Sequence, residues 1–145
     1  MTFETQSPAE TEALASAFAN VLKPGAVVAF FGGLGAGKTA FTRGLAKGLG
    51  VAGEVSSPTF ALVHEYQGEP PLIHFDMYRV SSLDDLYTTG YFDYLNGNNI
   101  LAIEWSENIE EALPEDAVRV TFEVTGGENR RITIEGGPDF EYPSH

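Results

Sequence analysis

The sequence predicts an α/β fold of one domain, residues 1–145, with a mixed, mostly parallel central sheet flanked by helices and edged by antiparallel hairpins. Three observations lead there. Ala26 to Phe31 (AVVAFF) is a continuous apolar run without alternation, the pattern of a strand buried on both faces. A glycine-rich turn follows it directly, and Thr39 to Leu49 then places Phe41, Leu45 and Leu49 on one helical face, with Gly50 as its stop. The 145 residues, 43% of them hydrophobic, suit one ordinary core and leave no room for a second full domain.

The remaining elements follow in order. Ser7-Pro8-Ala9-Glu10 has the form of a helix start, with Ser7 as N-cap, Pro8 in the first position and Glu10 closing a capping box. Ala13, Leu14, Ala17, Phe18, Val21 and Leu22 continue at helical spacing, and the helix is expected to end near Lys23-Pro24-Gly25. Thr59 to Tyr66 and Leu72 to Tyr78 read as strands joined into an antiparallel hairpin across QGEPP. Ser82 to Leu95 is a weaker helical stretch broken at Gly90, Ile100 to Ile103 a short buried strand, and Val118 to Val124 with Arg131 to Glu135 a closing hairpin. The tail from about residue 137 is expected to fray.

Charge and composition narrow the chemistry. Eight Lys and Arg against 21 Asp and Glu give a net charge of −13, so a phosphate polymer is repelled at long range and no direct grip on nucleic acid is expected. A single nucleotide is a different matter, because its phosphates are held by local backbone dipoles, one lysine and a cation. No apolar run approaches the roughly 20 residues that span a bilayer, and the N-terminus lacks the basic and apolar regions of a signal peptide. The expectation is a cytoplasmic protein with no membrane contact. With no cysteine, any metal is expected to be a hard, oxygen-bound ion.

Gly32-Gly33-Leu34-Gly35-Ala36-Gly37-Lys38-Thr39 fits the Walker A pattern G-x-x-x-x-G-K-[ST] without mismatch, between the strand and the helix that the chemistry requires. This makes the predicted fold a P-loop NTPase-like domain. Glycines let the backbone wrap phosphate oxygens with its N–H groups turned inward, and the helix N-terminus adds positive potential. Residues Gly33 to Ala40 are therefore expected to bind nucleotide, with Lys38 reaching the β and γ phosphates of ATP and the Thr39 hydroxyl suited to Mg²⁺. The site also needs a carboxylate at the end of a neighbouring strand. LIHFD and ILAIE both supply one, Asp76 and Glu104. One is expected to hold the metal and the other to orient water, with Glu104 preferred beside Mg²⁺.

Four further features are weighed. Ser56-Ser57-Pro58-Thr59 reads either as a switch that senses the γ-phosphate or as a capped turn. His74 could orient Asp76 or a water, though a strand histidine is more often packed and hydrogen-bonded. Arg43 and Arg79 suit phosphate or the acidic surface equally. Trp105 is read as core before cover.

Together these residues resemble the bacterial TsaE family, formerly called YjeE, the ATPase component of tRNA threonylcarbamoyladenosine synthesis. The likeness spans most of the chain: GGLGAGKTAFTRGL resembles the family's phosphate loop and helix, SPTFALVHEY its switch region, HFDMYR its second motif and IEW its third. Gly33 stands where the family commonly has Asp, which leaves the G-x-x-x-x-G-K-T frame intact. The resemblance implies that Lys38 contacts phosphate, Thr39 and Glu104 bind Mg²⁺, Asp76 supports metal and water, Thr59 belongs to the switch and Thr11 lines the adenine side. It also implies that the protein works with TsaD and TsaB, cycling that synthase through ATP binding and hydrolysis to ADP rather than transferring the threonylcarbamoyl group. A small-molecule kinase would need a basic lid that the five arginines do not supply. A binding switch with negligible hydrolysis overlaps with the favoured role, and no N-K-x-D segment follows the loop as in a GTPase.

Overall fold

The computed structural model describes residues 1–33, 37–51, 54–56 and 63–142. The chain begins with an edge strand, β1 (Thr2–Thr5), that no periodicity announced. α1 (Pro8–Ala19) starts where expected: the Ser7 hydroxyl accepts from the Glu10 N–H at 3.1 Å, and the Glu10 carboxylate accepts from the Gln6 N–H at 2.9 Å. It ends at Ala19 rather than near Lys23. The apolar spacing ran past the true end because the chain continues in single i→i+3 turns, from the carbonyls of Ala17, Phe18 and Ala19, that still deliver Leu22 to the core.

β2 (Val27–Phe31), α2 (Lys38–Leu49), β3 (Glu54–Ser56), β4 (Val63–Tyr66), β5 (Leu72–Asp76), α3 (Leu83–Thr88), α4 (Tyr91–Tyr94), β6 (Ile100–Glu104), a 3₁₀ segment (Ser106–Ala112), β7 (Val118–Gly126) and β8 (Asn129–Glu135) follow. Gly90, at φ 79°, separates α3 from α4. Among the described residues the sheet has eight strands in the order β1-β8-β7-β2-β6-β5-β4-β3. Its centre, β7-β2-β6-β5, is parallel, and both flanks are antiparallel. The first part of the hairpin strand expected from Thr59, up to Leu62, lies outside the described residues.

Each face of the sheet has its own core. Val28, Phe30, Leu72, Ile100, Ala102, Val120 and Phe122 pack beneath α1 and α2 against Leu14, Phe18, Phe41 and Leu45. Val27, Ile73, Phe75, Leu101 and Ile103 face the other way, under Leu86, Tyr91 and Ile109. Phe30, Phe41 and Phe122 meet edge to face at 5.5–5.6 Å, a geometry worth roughly 0.5–1.5 kcal/mol per pair beyond the area buried. This cluster anchors α2 on the strand that feeds it.

α1 and α2 approach closely along a seam of small residues. A Cβ on Gly44 would collide with the Glu12 carbonyl and the Ala15 methyl, and one on Gly48 with the Ser16 carbonyl and the Ala19 methyl. The tail departs from expectation. Gly136 and Gly137 adopt φ 80° and 77°, turning the chain back so that Phe140 packs edge-on against Phe18 at 5.1 Å and is 7% exposed. Phe140 and the half-buried Tyr142 therefore tie the tail to the core, while residues 137–139 and 141 between them are exposed; 143–145 lie outside the described residues.

Candidate nucleotide-binding site

The parallel strands β2, β6 and β5 finish side by side, and the site lies at the C-terminal ends of β2 and β6, as in open α/β sheets generally. β2 leads through Gly32 toward the loop. Gly32 has φ 135°, and a side chain there would bring a Cβ within 2.7 Å of the Phe122 carbonyl, so only glycine lets the chain leave β2 this close to β7. Leu34, Gly35 and Ala36, expected to cradle phosphate, lie outside the described residues, as does Thr59.

α2 opens at Gly37 in the left-handed region, φ 108°, and no side chain caps it, whereas Ser7 and Ser82 cap α1 and α3. The first turn also holds no acid. Its leading N–H groups are thus left to an anion, and the helix dipole favours one there. Lys38 is 7% exposed, unusual for a lysine, with Nζ 4.8 Å from the centroid of the Trp105 ring. Thr39 is exposed beside it.

Pro8, Thr11, Gly33, Gly37, Lys38, Thr39, Ala40, Arg43, Glu104, Trp105, Glu128 and Arg130 line one cavity of about 300 Å³. The structure thus brings together Gly33, Gly37, Lys38, Thr39, Ala40, Thr11 and Glu104 from the sequence expectations. Thr11 is 1% exposed, its hydroxyl is bonded to that of Thr5 at 2.7 Å, and its methyl faces Gly37. It contributes an apolar wall.

Asp76 stands apart from this lining. It is the register partner of Glu104 on the adjacent strand, and its Oδ1 accepts from the Tyr78 N–H at 3.0 Å. The histidine reading shifts accordingly: His74 Nε2 lies 3.4 Å from Glu104 Oε1, so the acid that His74 meets is Glu104. Burial pushes the Glu104 carboxyl up, but His74 first, then Lys38 and His64, outweigh it and hold the group below its ordinary value of 4.5. It is a carboxylate at neutral pH, facing the lysine. Of the two arginines considered, Arg43 borders the cavity and lies 3.6 Å from Glu12, while Arg79 is exposed beyond β5.

Sequence reasoning missed Glu128 and Arg130, while Trp105, read as core before cover, serves as both. Glu128 comes from the β7–β8 turn and Arg130 from the start of β8, and both reach the cavity only because β7 pairs with β2, a long-range fact without a local signal. Arg130 donates to the Gly127 and Asn129 carbonyls at 2.8 and 2.9 Å, so it also pins that turn. Trp105 leaves β6 at φ 60°, ψ 41°, a left-handed conformation that costs a non-glycine residue roughly 1–3 kcal/mol and recurs at functional sites. Its ring also packs on Tyr78 at 4.9 Å. Trp105 is a wall of the cavity and the partner of Lys38, more than core filling.

Comparison with known proteins points to one family. The family described as threonylcarbamoyl adenosine biosynthesis protein TsaE matches residues 5–132. The Bacillus subtilis tRNA threonylcarbamoyladenosine biosynthesis protein TsaE is 41% identical over 133 residues, 91% of this chain and 83% of that protein. Its Treponema pallidum namesake is 38% identical over 130 residues, 90% of this chain and 96% of that protein. The crystal structure of Bacillus subtilis YdiB superposes with a TM-score of 0.76 at 36% identity, covering 95% of this chain and 86% of that one. With the family model matching residues 5–132, and relatives about 40% identical over most of the chain, the chain belongs to the TsaE family.

Proposed function

We propose that this chain is the ATP-binding and ATP-hydrolysing component of the machinery that makes threonylcarbamoyladenosine in tRNA, acting in the cytoplasm. The observation that carries the reading is the convergence of buried Lys38, the uncapped start of α2 and the Glu104 carboxylate on one cavity, in a member of the TsaE family. Lys38 and the α2 N–H groups would bind the ATP phosphates, and Trp105 holds the ammonium in place.

The donor set also fits Mg²⁺. Thr39 and Glu104 border the same cavity, and among the described residues no group of three or more His, Asp and Glu forms a protein-only cage. That suits an ion that takes most of its ligands from phosphate oxygens and water. When bound, Mg²⁺ would offset the phosphate charge that develops during transfer to water. Thr39 and Glu104 would hold it, Asp76 would support the attacking water from the next strand, and Thr59 would belong to a segment responding to the γ-phosphate.

TsaD and TsaB are the partners in this reading. Exchange of ATP for ADP would alter the surface presented to them and cycle the synthase, while the transfer of the threonylcarbamoyl group stays with the partners. A net charge of −13 suits a component that leaves the tRNA to them. Calorimetry with ATP or ADP and Mg²⁺, and turnover with and without TsaB–TsaD, test it. Wild type is expected to bind both nucleotides and to hydrolyse ATP faster with the partners, and Lys38→Ala to lose binding by at least about 100-fold. A wild-type chain that binds neither nucleotide would end the proposal.

A further inference from the structure

We infer that His74 is a positioning residue for Glu104: its imidazole braces carboxylate oxygen Oε1 and so leaves the other oxygen for the nucleotide site. The inference rests on the proposed function for what Glu104 does, and on the geometry alone for what His74 does to it.

The juxtaposition is built by strand register. Leu72, His74 and Asp76 point to the same face of β5 by strand alternation, and their partners on β6 are Ile100, Ala102 and Glu104. Behind His74 that face is apolar, formed by Leu72, Ile100, Ala102, Val28 and Phe30. An imidazole in such surroundings is costly unless a polar group meets it. Its register partner is an alanine, which leaves space for the ring to lean across β6, and two residues further along β6, on the same face, stands Glu104. Nε2 reaches Oε1 at 3.4 Å, with the two side chains 16% and 17% exposed.

Nε2 is itself buried and makes no hydrogen bond of good geometry among the described residues. The approach to Glu104 is long and off-axis for such a bond, as site contacts often are before a ligand tightens them. On the other side His64, the register partner of His74 on β4, stacks on its ring at 5.7 Å with the planes 28° apart. The ring therefore has a flat wall behind it and a carboxylate ahead. A carboxylate rotating freely would face Lys38 and the cavity in several orientations, and bracing one oxygen selects among them.

The test compares His74→Ala, His74→Gln and Glu104→Gln in the full chain. Calorimetry measures ADP affinity with and without MgCl₂. His74→Ala and His74→Gln are expected to bind metal-free ADP like the wild type. The gain in affinity on adding Mg²⁺ is expected to fall roughly 10-fold in His74→Ala, the scale for a group acting through a metal ligand, and to return in His74→Gln, whose amide nitrogen can stand where Nε2 stood. His74→Ala combined with Glu104→Gln is expected to be no worse than Glu104→Gln alone. A wild-type gain in His74→Ala, or no rescue by His74→Gln, overturns the inference.

Ring-nitrogen NMR of wild type and Glu104→Gln judges the contact without nucleotide and without removing the histidine. The His74 signals are expected to move between the two. Unmoved His74 signals also overturn the inference, whereas a wild type that binds no ADP while these signals do move defeats only the proposed function.

Discussion

The ends of β5 and β6 make an instructive pair. Asp76 and Glu104 are both the last residue of a parallel strand, and they are partners in register, yet they occupy different surroundings. Glu104 borders the cavity and is held ionised against its burial by His74, Lys38 and His64. Asp76 uses one oxygen to fix the turn to Tyr78 and stays outside that lining. What separates them is one place in the strand order: β6 is the neighbour of β2, which feeds the phosphate loop, and β5 is second in line. Proximity to the loop strand, more than the local motif, decides which acid borders the cavity.

Substitution at the inner acid should have the largest effect. Glu104→Gln is expected to leave the fold intact and lower partner-stimulated turnover by about 100- to 1,000-fold, the scale of removing a fixed group that stabilises transition-state charge. Asp76→Asn keeps an acceptor for the Tyr78 N–H and is expected to cost roughly 10-fold in turnover without altering ADP affinity, as for a group acting through a neighbour. Equal losses at the two positions, measured under the same conditions, would break the comparison.

Acid stability sharpens it by a smaller effect. A carboxylate whose pKa is lower in the folded chain favours folding above its unfolded value, and this contribution is lost as pH falls through the folded value. The Tm of the wild type should therefore decline more steeply below about pH 4.5 than that of Glu104→Gln, by a few degrees at most. Parallel declines would mean that the pocket charges do not favour the ionised form.

Much of the frame was legible because local chemistry wrote it. The unbroken apolar run at Ala26 to Phe31, the Ser7–Glu10 cap and Gly50, at φ 67°, each act within a few residues, and the elements they predict are present. β1 was not legible, since Thr2–Thr5 becomes a strand only through pairing with Asn129–Glu135 at the far end of the chain. The same holds for the site. Lys38 and Thr39 announce themselves by spacing, and Glu104 by its strand end. Arg130 and Glu128 arrive through sheet order, and the contact of His74 with Glu104 is hidden because adjacency in sequence, which offers only Asp76, is visible while register across strands is not.

The glycine seam between the first two helices reaches further than its own packing. Pro8 and Thr11 ride on α1, Thr39 and Ala40 on α2, and all four border the cavity, so the spacing of the helices sets how far apart its walls stand. A methyl group added at position 44 or 48 would wedge the helices open without touching a single residue of the pocket. Heat-sensitive alleles of a protein built this way would be found along that seam, where inheritance alters the width of the pocket and none of its chemistry.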